Sequence, residues 1–457
     1  MPVGKQGRKA LEGIRVGFDV LLAVQAAQWD GTRMAQRSIA GTGRIGVCVA
    51  MVNWVWAFIA PECGKVSGAK VTANPCGSAR GTGCAFLHPM NPLRTGALSS
   101  IAAISILMAA WAPPCRADRI PIKVIVVAGF EVGEDTGDAP GEFQFWAERD
   151  GLNQKTAILR RAHPLCHNAA GLYGIVGGNS NDKDLSPNGE IELITALCLD
   201  PRFDLRKTYW IIDGIAGIDP AVGPMGSAVW AENVVDGDAM REIDDRQVPA
   251  GWPYGLFAIG TKAPLQLPTS EPEKGGGWGG AALTYSMNHP LNGGLARWAC
   301  SFTKDVKLVD EPAMRAWSRR YVGYPKAQGA PRVMMGDALG CIRYWHGPTR
   351  TQWARDWVRM WTGGKGTFAT TSMEAQTFTG SLMHMADEGY VDFSRVMVLR
   401  TASNYCMPPP GEAALSTVGD ESLGTDAALE ASYRVGSAVA HELLLHWGRY
   451  ADTVPSG

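Results

Sequence analysis

Short apolar runs rich in β-branched residues recur through the chain after its first quarter. Three of them cover Ile122 to Val127, Tyr209 to Ile212 and Val396 to Leu399, and each stops at glycine or polar residues. Runs in which apolar and polar residues do not alternate are typical of strands buried on both faces. They therefore predict an α/β fold in which helices cover a central sheet on both sides.

Helical periodicity separates these strands. The clearest helices are predicted from Gln352 to Trp361 and from Glu430 to Tyr450. A glycine-rich stretch from Gly275 to Gly280 is predicted to be a flexible loop. Ligands of such sheets bind beyond the carboxyl ends of the strands. The residues just after each apolar run are therefore the first candidates for function.

A different pattern occupies the first quarter of the chain. The apolar run from Ala97 to Ala112 follows a basic start and precedes two prolines, as in a secretory signal peptide. Small residues then precede Asp118, which would begin the mature protein. We therefore expect residues 90–117 to be a signal peptide that directs the protein to the periplasm or the exterior. An ordinary buried helix is the alternative for this run.

Residues 1–89 predict no domain. They are rich in glycine, alanine, arginine and cysteine, and their apolar run from Ile45 to Ala60 is shorter than the ~20 residues of a membrane helix. Because an export signal does not stand inside a chain, a signal at 90–117 implies that this stretch is translated from a wrongly placed start. A membrane-anchored extension with two weak helices is the alternative.

Charge and cysteine content exclude several classes of function. Lys and Arg number 43 against 44 Asp and Glu, so the balance does not favour nucleic acid as a partner. The ten cysteines form no CxxC pair, and no glycine-rich phosphate loop or dinucleotide fingerprint is found. We therefore expect neither a metal nor a cofactor.

Several long strings follow one another in order from Ile122 nearly to the C-terminus. They include FEVGEDTGDAPGEFQFW from Phe130, GIAGIDP from Gly214, VPAGWPYG from Val248, YWHG from Tyr344 and VLRTASNY from Val398. In this order they resemble the purine nucleoside permease family, whose fold is similar to that of the nucleoside phosphorylases. The resemblance implies a nucleoside phosphorylase-like three-layer α/β/α domain with a mixed central sheet at 118–457, and a purine nucleoside as its ligand.

The resemblance places the sugar at the string SMEAQ. Glu374 is implied as the carboxylate that accepts hydrogen bonds from both ribose hydroxyls, with Met373 under the sugar. Hydrogen bonds to an ionised acceptor are worth ~1.5–3 kcal/mol each. Without the resemblance, a solvent-facing loop position is the simpler interpretation of Glu374.

The purine base is implied at Ser403 and Asn404. An amide has a donor and an acceptor, so Asn404 can pair with the ring nitrogen and the exocyclic oxygen of a 6-oxopurine. It cannot hand a proton to the leaving base, which predicts weak acid catalysis and a preference for inosine and guanosine. Asparagine is also a common cap of turns, and that structural role is the alternative.

Small residues after the second apolar run form a further candidate. Gly214, Ala216 and Gly217 allow backbone amides and a flat base to approach closely, although a tight turn would use the same residues. At the end of the first run, Gly129 and Phe130 occupy the place where related enzymes hold phosphate or a water. There Glu131 is predicted to orient a water as a catalytic residue, because its charge disfavours a phosphate dianion.

Three functions remain open. One is capture of purine nucleosides for uptake with a membrane transport partner, since no apolar stretch of ~18 residues follows Asp118. Another is an enzyme that cleaves the glycosidic bond, with water favoured over phosphate because the acidic string GGNSNDKDLSPNGE from Gly177 and Ala375 depart from the family pattern. A degenerate member with little activity is the third. We expect a homo-oligomer, since sites in this fold class are often completed by a neighbouring subunit.

Overall fold

The computed structural model describes residues 119–177, 187–268, 285–419 and 422–457. The expected export signal, the stretch before it and the glycine-rich loop at 275–280 lie outside the described residues.

A ten-stranded sheet forms the centre of the described fold, in agreement with the predicted α/β class. Its strands are β2 (Val124–Ala128), β3 (Gln154–Thr156), β4 (Leu165–His167), β5 (Leu172–Val176), β7 (Tyr209–Ile218), β8 (Ala228–Asp236), β11 (Asn288–Pro290), β12 (Val333–Gly340), β13 (Phe368–Ser372) and β14 (Val396–Tyr405). Two small ribbons pair β1 (Ile120–Pro121) with β6 (Phe203–Asp204), and β9 (Met240–Glu242) with β10 (Leu256–Ala258).

The sheet is mixed. Strand β2 lies between β5 and β7 and is parallel to both. Strand β14 is parallel to β7 on one side and antiparallel to β8 on the other. From β8 the pairing continues through β12 and β13 back to β7, so these five strands close a ring.

Strands β7 and β14 extend well beyond the apolar runs that predicted them. The two pair with each other along their whole length, which carries both past the point where the β-branched residues stop. Gly214, Ala216 and Gly217 are therefore inside β7, and Ser403 and Asn404 are inside β14. The prediction that these residues follow a strand is corrected accordingly.

Helices flank the sheet, and within the described ranges no helix combines the length and the apolar character that a bilayer crossing requires. The predicted helix at Gln352 begins earlier, at Pro348, because proline suits the first turn. The helix predicted up to Tyr450 is interrupted at His446. The flanking helices are α1 (Gln144–Arg149), α2 (Pro187–Leu199), α3 (Gly293–Thr303), α4 (Pro312–Ser318), α5 (Pro348–Trp361), α6 (Ala375–Asp387), α7 (Ser422–Leu445) and α8 (Trp447–Tyr450).

Alternate residues of β2 belong to two separate hydrophobic clusters. Ile125 and Val127 pack in a cluster with residues of α2 and α6. Val124 and Val126 pack in another with residues of α1, α3 and α7. Because both faces of the strand are covered, its sequence is apolar throughout rather than alternating.

Candidate functional site

A fully buried arginine, Arg400, lies at the centre of the candidate site. It stands on β14 opposite Gly214 of β7, and its side chain is 0% exposed. Nη1 donates to Oε1 of Glu374, whereas Nε and Nη2 have no hydrogen-bond partner among the described residues. A guanidinium keeps its charge and its five N–H donors even when buried. Two of its nitrogen atoms can therefore serve a ligand or a water.

Glu374 reaches this arginine from the end of β13. It is the residue before α6, yet its side chain does not cap that helix. While Oε1 pairs with Arg400, Oε2 accepts a hydrogen bond from the N–H of Met373 at 2.9 Å. The Glu374 side chain is only 12% exposed, so the solvent-facing alternative is not what the structure shows. Met373 itself is exposed beside it.

A second carboxylate, Glu142, joins the ends of two strands. Its Oε2 accepts from the N–H of Gly129 at 2.6 Å and its Oε1 from the N–H of Ile215 at 2.7 Å. The N–H of Phe130, a half-buried residue, lies 3.3 Å from the same Oε2. These bonds attach one buried carboxyl group to the end of β2 and the middle of β7.

A third carboxylate comes from α2. Glu190 is 4% exposed, and its carboxyl group is hydrogen-bonded to the Thr377 hydroxyl on α6. Its Oε2 has no hydrogen-bond partner in the part of the chain that the structure describes. Burial, and then the negative charge of Glu374, raise the pKa of Glu190 to about 9, with Arg400 opposing the shift.

Three carboxylates thus face one guanidinium. Burial, followed by the charge of Glu374, also holds the pKa of Glu142 above its ordinary value, because a buried carboxylate loses the solvation of its ionised form. With Glu142 and Glu190 in their acid forms, the charges of Glu374 and Arg400 balance each other. A cluster without net charge is better suited to an uncharged ligand than to a phosphate dianion.

Gly129 and Gly214 leave the space that this cluster occupies. A Cβ atom on Gly214 would lie 2.6 Å from Nη1 of Arg400 and 2.6 Å from Oε1 of Glu142. One on Gly129 would lie 2.9 Å from Oε2 of Glu142 and 3.0 Å from Cδ of Glu374. The structure therefore brings these two predicted residues together with Glu374.

The predicted base-binding residues lie further along the same pair of strands. Asn404 pairs with Gly217 of β7, and a Cβ atom on that glycine would be 3.4 Å from Nδ2 of Asn404. Asn404 is four residues beyond Arg400 on β14, and the pairing with β7 shifts register between Ala402 and Asn404.

The amide of Asn404 has local partners at both ends. The hydroxyl of Ser403 lies 2.9 Å from Oδ1 of Asn404 and 3.3 Å from the carbonyl oxygen of Ala216. Nδ2 of Asn404 donates to the carbonyl of Tyr405 at 3.2 Å. These contacts resemble the structural alternative. They leave the amide one N–H and one lone pair for a base.

Glu131 has different surroundings from those predicted. Both of its oxygens accept backbone N–H bonds of 2.5 to 2.8 Å at the start of α1, from residues 132, 141, 143 and 144. These contacts satisfy backbone donors at the start of the helix and occupy both oxygens. The glutamate of this segment that lies near Arg400 and Glu374 is Glu142, and the water-orienting role of Glu131 stays a prediction.

An open cavity of about 530 Å³ lies between α2 and α6. Its lining includes Ile191, Gln376 and Thr377. Because Thr377 also contacts Glu190, the cavity adjoins the carboxylate cluster. Its volume is in the range of small-molecule sites.

A separate cluster of metal-ligand types occurs at Asp135, His163 and Cys166, whose ligand atoms lie within 4.8 Å of one another. Nζ of Lys155 is 2.6 Å from Asp135. Nδ1 of His163 accepts from the N–H of Val176, so the ring proton is on Nε2, which donates to Asp135 at 2.7 Å. This network satisfies the group by hydrogen bonds alone.

Residues 121–455 match the family model described as purine nucleoside permease. The chain belongs to the purine nucleoside permease family. A purine nucleoside permease of Candida albicans is 26% identical over 264 residues, which are 57% of this chain and 62% of that relative. A relative in Schizosaccharomyces pombe, described as a probable purine nucleoside permease, is 26% identical over 263 residues, or 56% of this chain and 72% of its own length. The chain thus spans about 62% of the Candida relative.

Solved nucleosidases align with this family member loosely. The 5′-methylthioadenosine/S-adenosylhomocysteine nucleosidase of Neisseria meningitidis gives a TM-score of 0.39 at 13% identity, covering 70% of this chain and 100% of that one. Futalosine hydrolase of Helicobacter pylori gives a TM-score of 0.39 at 10% identity, covering 70% and 99%.

Three residues of the site in this permease family member are not predicted by the sequence patterns. Arg400 directly follows the third apolar run, and an arginine at the end of a buried strand is a usable signal because it requires a partner. Glu142 is one of several acidic residues in its string. Glu190 lies in the string that departs from the family pattern. Nothing in the residue pattern marks either glutamate as buried.

Proposed function

We propose that this protein binds purine nucleosides for their uptake. In this proposal the Glu374 carboxylate accepts hydrogen bonds from both hydroxyls of the ribose diol. The observation that carries the proposal is the ion pair in which buried Arg400, in the middle of β14, holds Glu374 just after the end of β13. A carboxylate fixed in one orientation is a good acceptor for two adjacent hydroxyl donors. Family membership supports the same ligand class.

The base would extend along β7 and β14 towards Asn404. There Gly217 and Ala216 leave room for a flat ring, and the amide offers its remaining donor and acceptor to a 6-oxopurine. Met373 would lie under the sugar. We further interpret the sheet, whose strand β2 packs in a separate hydrophobic cluster on each face, as the nucleoside phosphorylase-like three-layer arrangement.

The proposal also includes a membrane transport partner, to which the protein would pass the nucleoside for uptake. It further includes a homo-oligomeric state. The sequence supports a periplasmic or secreted location, reached after removal of residues 90–117.

Hydrolysis of the N-glycosidic bond is the second candidate function, and the position of Glu142 favours it. Its buried carboxyl group lies near Arg400 and Glu374, and its pKa is raised to about 8, so the fraction that is ionised near neutral pH can act as a general base. A water held there would attack the sugar carbon as Glu142 takes its proton and the bond to the base breaks. Asn404 could only donate a hydrogen bond, so solvent would protonate the base.

An assay of the full-length protein with inosine, in the presence and absence of phosphate, separates the two candidate functions. Binding is measured by calorimetry, and release of hypoxanthine is followed with and without phosphate. Binding without release supports capture, whereas release that needs no phosphate supports hydrolysis.

A matched pair of variants tests the sugar contact itself. Glu374→Gln keeps the shape but loses the charged acceptor, so we expect affinity to fall at least about tenfold, as for hydrogen bonds to an ionised group. Glu388→Gln, an exposed glutamate at the other end of α6, should bind like the wild type. Unchanged affinity in Glu374→Gln would remove Glu374 from the site.

A further inference from the structure

Glu190 has no part in the binding scheme above, although it lies against the site. Its carboxyl group contacts Thr377 on the first turn of α6, the helix that begins directly after Glu374. The residue is 4% exposed, and one carboxyl oxygen has no hydrogen-bond partner among the described residues. A buried polar atom without a partner is costly, which makes this oxygen a candidate contact for a ligand.

The groups around Glu190 determine its protonation. Glu374 faces it from the start of α6, Glu142 from the segment before α1, and Arg400 from β14. The single guanidinium is already paired with Glu374. An ionised Glu190 would therefore be a second or third negative charge in a buried cluster that has one positive charge. Its acid form avoids that cost and adds an O–H donor.

We propose that Glu190 binds the nucleoside as a neutral acid, its O–H donating to an oxygen or nitrogen of the ligand, so that nucleoside and proton bind this site together. The inference rests on the proposed nucleoside-binding function. In this proposal Glu190 is a ligand-binding residue, and protonation of Glu190 and binding of the nucleoside each favour the other.

The linkage has a definite direction. Below the folded-state pKa of about 9 the donor is present, and above it the donor is lost and a negative charge appears. Nucleoside affinity therefore falls as the pH rises through that value, and binding at alkaline pH takes up protons from the buffer.

Three variants of the full-length chain test the proposal. Glu190→Gln keeps a neutral N–H donor at every pH, whereas Glu190→Leu removes the donor. Glu192→Gln, on the exposed side of the same helix, is the matched control. Inosine affinity is measured by calorimetry at pH 7 and pH 9.5, and each variant is compared with the wild type at the same pH, so that titration of inosine itself cancels.

Glu190→Gln should match the wild type at pH 7 and bind about fourfold more tightly than it at pH 9.5, because a group of pKa about 9 keeps its proton in only about a quarter of molecules there. Glu190→Leu should be weaker at pH 7, and Glu192→Gln should follow the wild type throughout. A ratio of Glu190→Gln to wild type that does not change with pH overturns the proposal.

A second measurement needs no variant and so does not depend on the variants folding. At pH 9 the binding enthalpy of the wild type should differ between buffers of different ionisation enthalpy, with the sign of proton uptake. An enthalpy that is the same in all buffers overturns the proton linkage. No inosine binding at pH 7 overturns the proposed function itself, which distinguishes the two failures.

Discussion

Glu374 and Arg400 form an ion pair in which the arginine side chain is wholly buried and the glutamate almost so. The pair joins the end of β13 to β14, two strands that belong to the same closed ring. Neither partner can be removed without leaving the other charge uncompensated in the interior.

We expect Arg400→Met to destabilise the protein by about 3–5 kcal/mol, the usual cost of removing one member of a buried pair. The free energy of unfolding in denaturant measures this loss. Arg206→Met removes an exposed arginine of a surface pair, which solvent screens, and should cost far less. If the two variants lose the same free energy of unfolding, the buried ion pair of Arg400 stabilises the protein no more than a surface pair does.

Gly214→Ala should weaken both stability and inosine binding, because the new methyl group would meet Arg400 and Glu142 at 2.6 Å. We expect a loss of about 1–3 kcal/mol, as for overpacking of an interior. Gly448→Ala on α8 is the control, since no atom lies within 4 Å of its added Cβ and alanine favours a helix. Thermal melting and calorimetry measure both effects. If Gly214→Ala has the stability and the inosine affinity of the wild type, the carboxylate cluster can accommodate an additional methyl group.

The stability of the protein should also reveal the proton on Glu190. Its folded-state pKa of about 9 is raised above the ordinary value of 4.5, so the folded state keeps a proton that the unfolded state loses. Its contribution is fully present below pH 4.5 and is lost as the pH rises towards 9. Glu190→Gln removes that loss. Its melting temperature relative to the wild type should therefore increase steadily from pH 5 to pH 9, whereas Glu192→Gln should show no such trend.

Asn404→Asp should bind inosine about tenfold more weakly, since the change replaces the amide donor with a negatively charged acceptor opposite the exocyclic oxygen. Adenosine, which carries a donor at that position, should lose less. Asn153→Asp, at an exposed position, serves as the control. If inosine and adenosine respond alike, the amide does not contact the base.

The predicted export signal implies a defined N-terminus for the mature protein. Mass spectrometry of the secreted or periplasmic form should place its first residue at Asp118, the position after the predicted cleavage site. Retention of residues 1–89 in that form would instead support the anchored extension.

The sequence was sufficient for three central strands of the sheet. The β-branched runs identified the central strands because those strands are buried on both faces, and Gly129, Gly214 and Glu374 do come together. The ends of β7 and β14 were placed too early, because pairing between them, rather than local composition, determines how far they extend.

The glutamates show why the rest of the site could not be predicted. Glu131 and Glu142 lie in one acidic string, and only the turn between them decides which one caps α1 and which one faces Arg400. Glu190 is distant in sequence from both. Its role depends on helix packing that joins α2 to α6, and such long-range contacts leave no local pattern.

The closed ring of five strands has a consequence for how the site could respond to a ligand. Strand β14 is hydrogen-bonded on both sides, so Arg400 cannot shift without breaking two ladders at once. The backbone that carries the guanidinium is therefore held in place before any ligand binds, and little ordering entropy is lost there on binding. Adjustment to different ligands therefore depends on the helices outside the ring. In this arrangement β14 is the fixed wall of the site and α2 is the wall that can move.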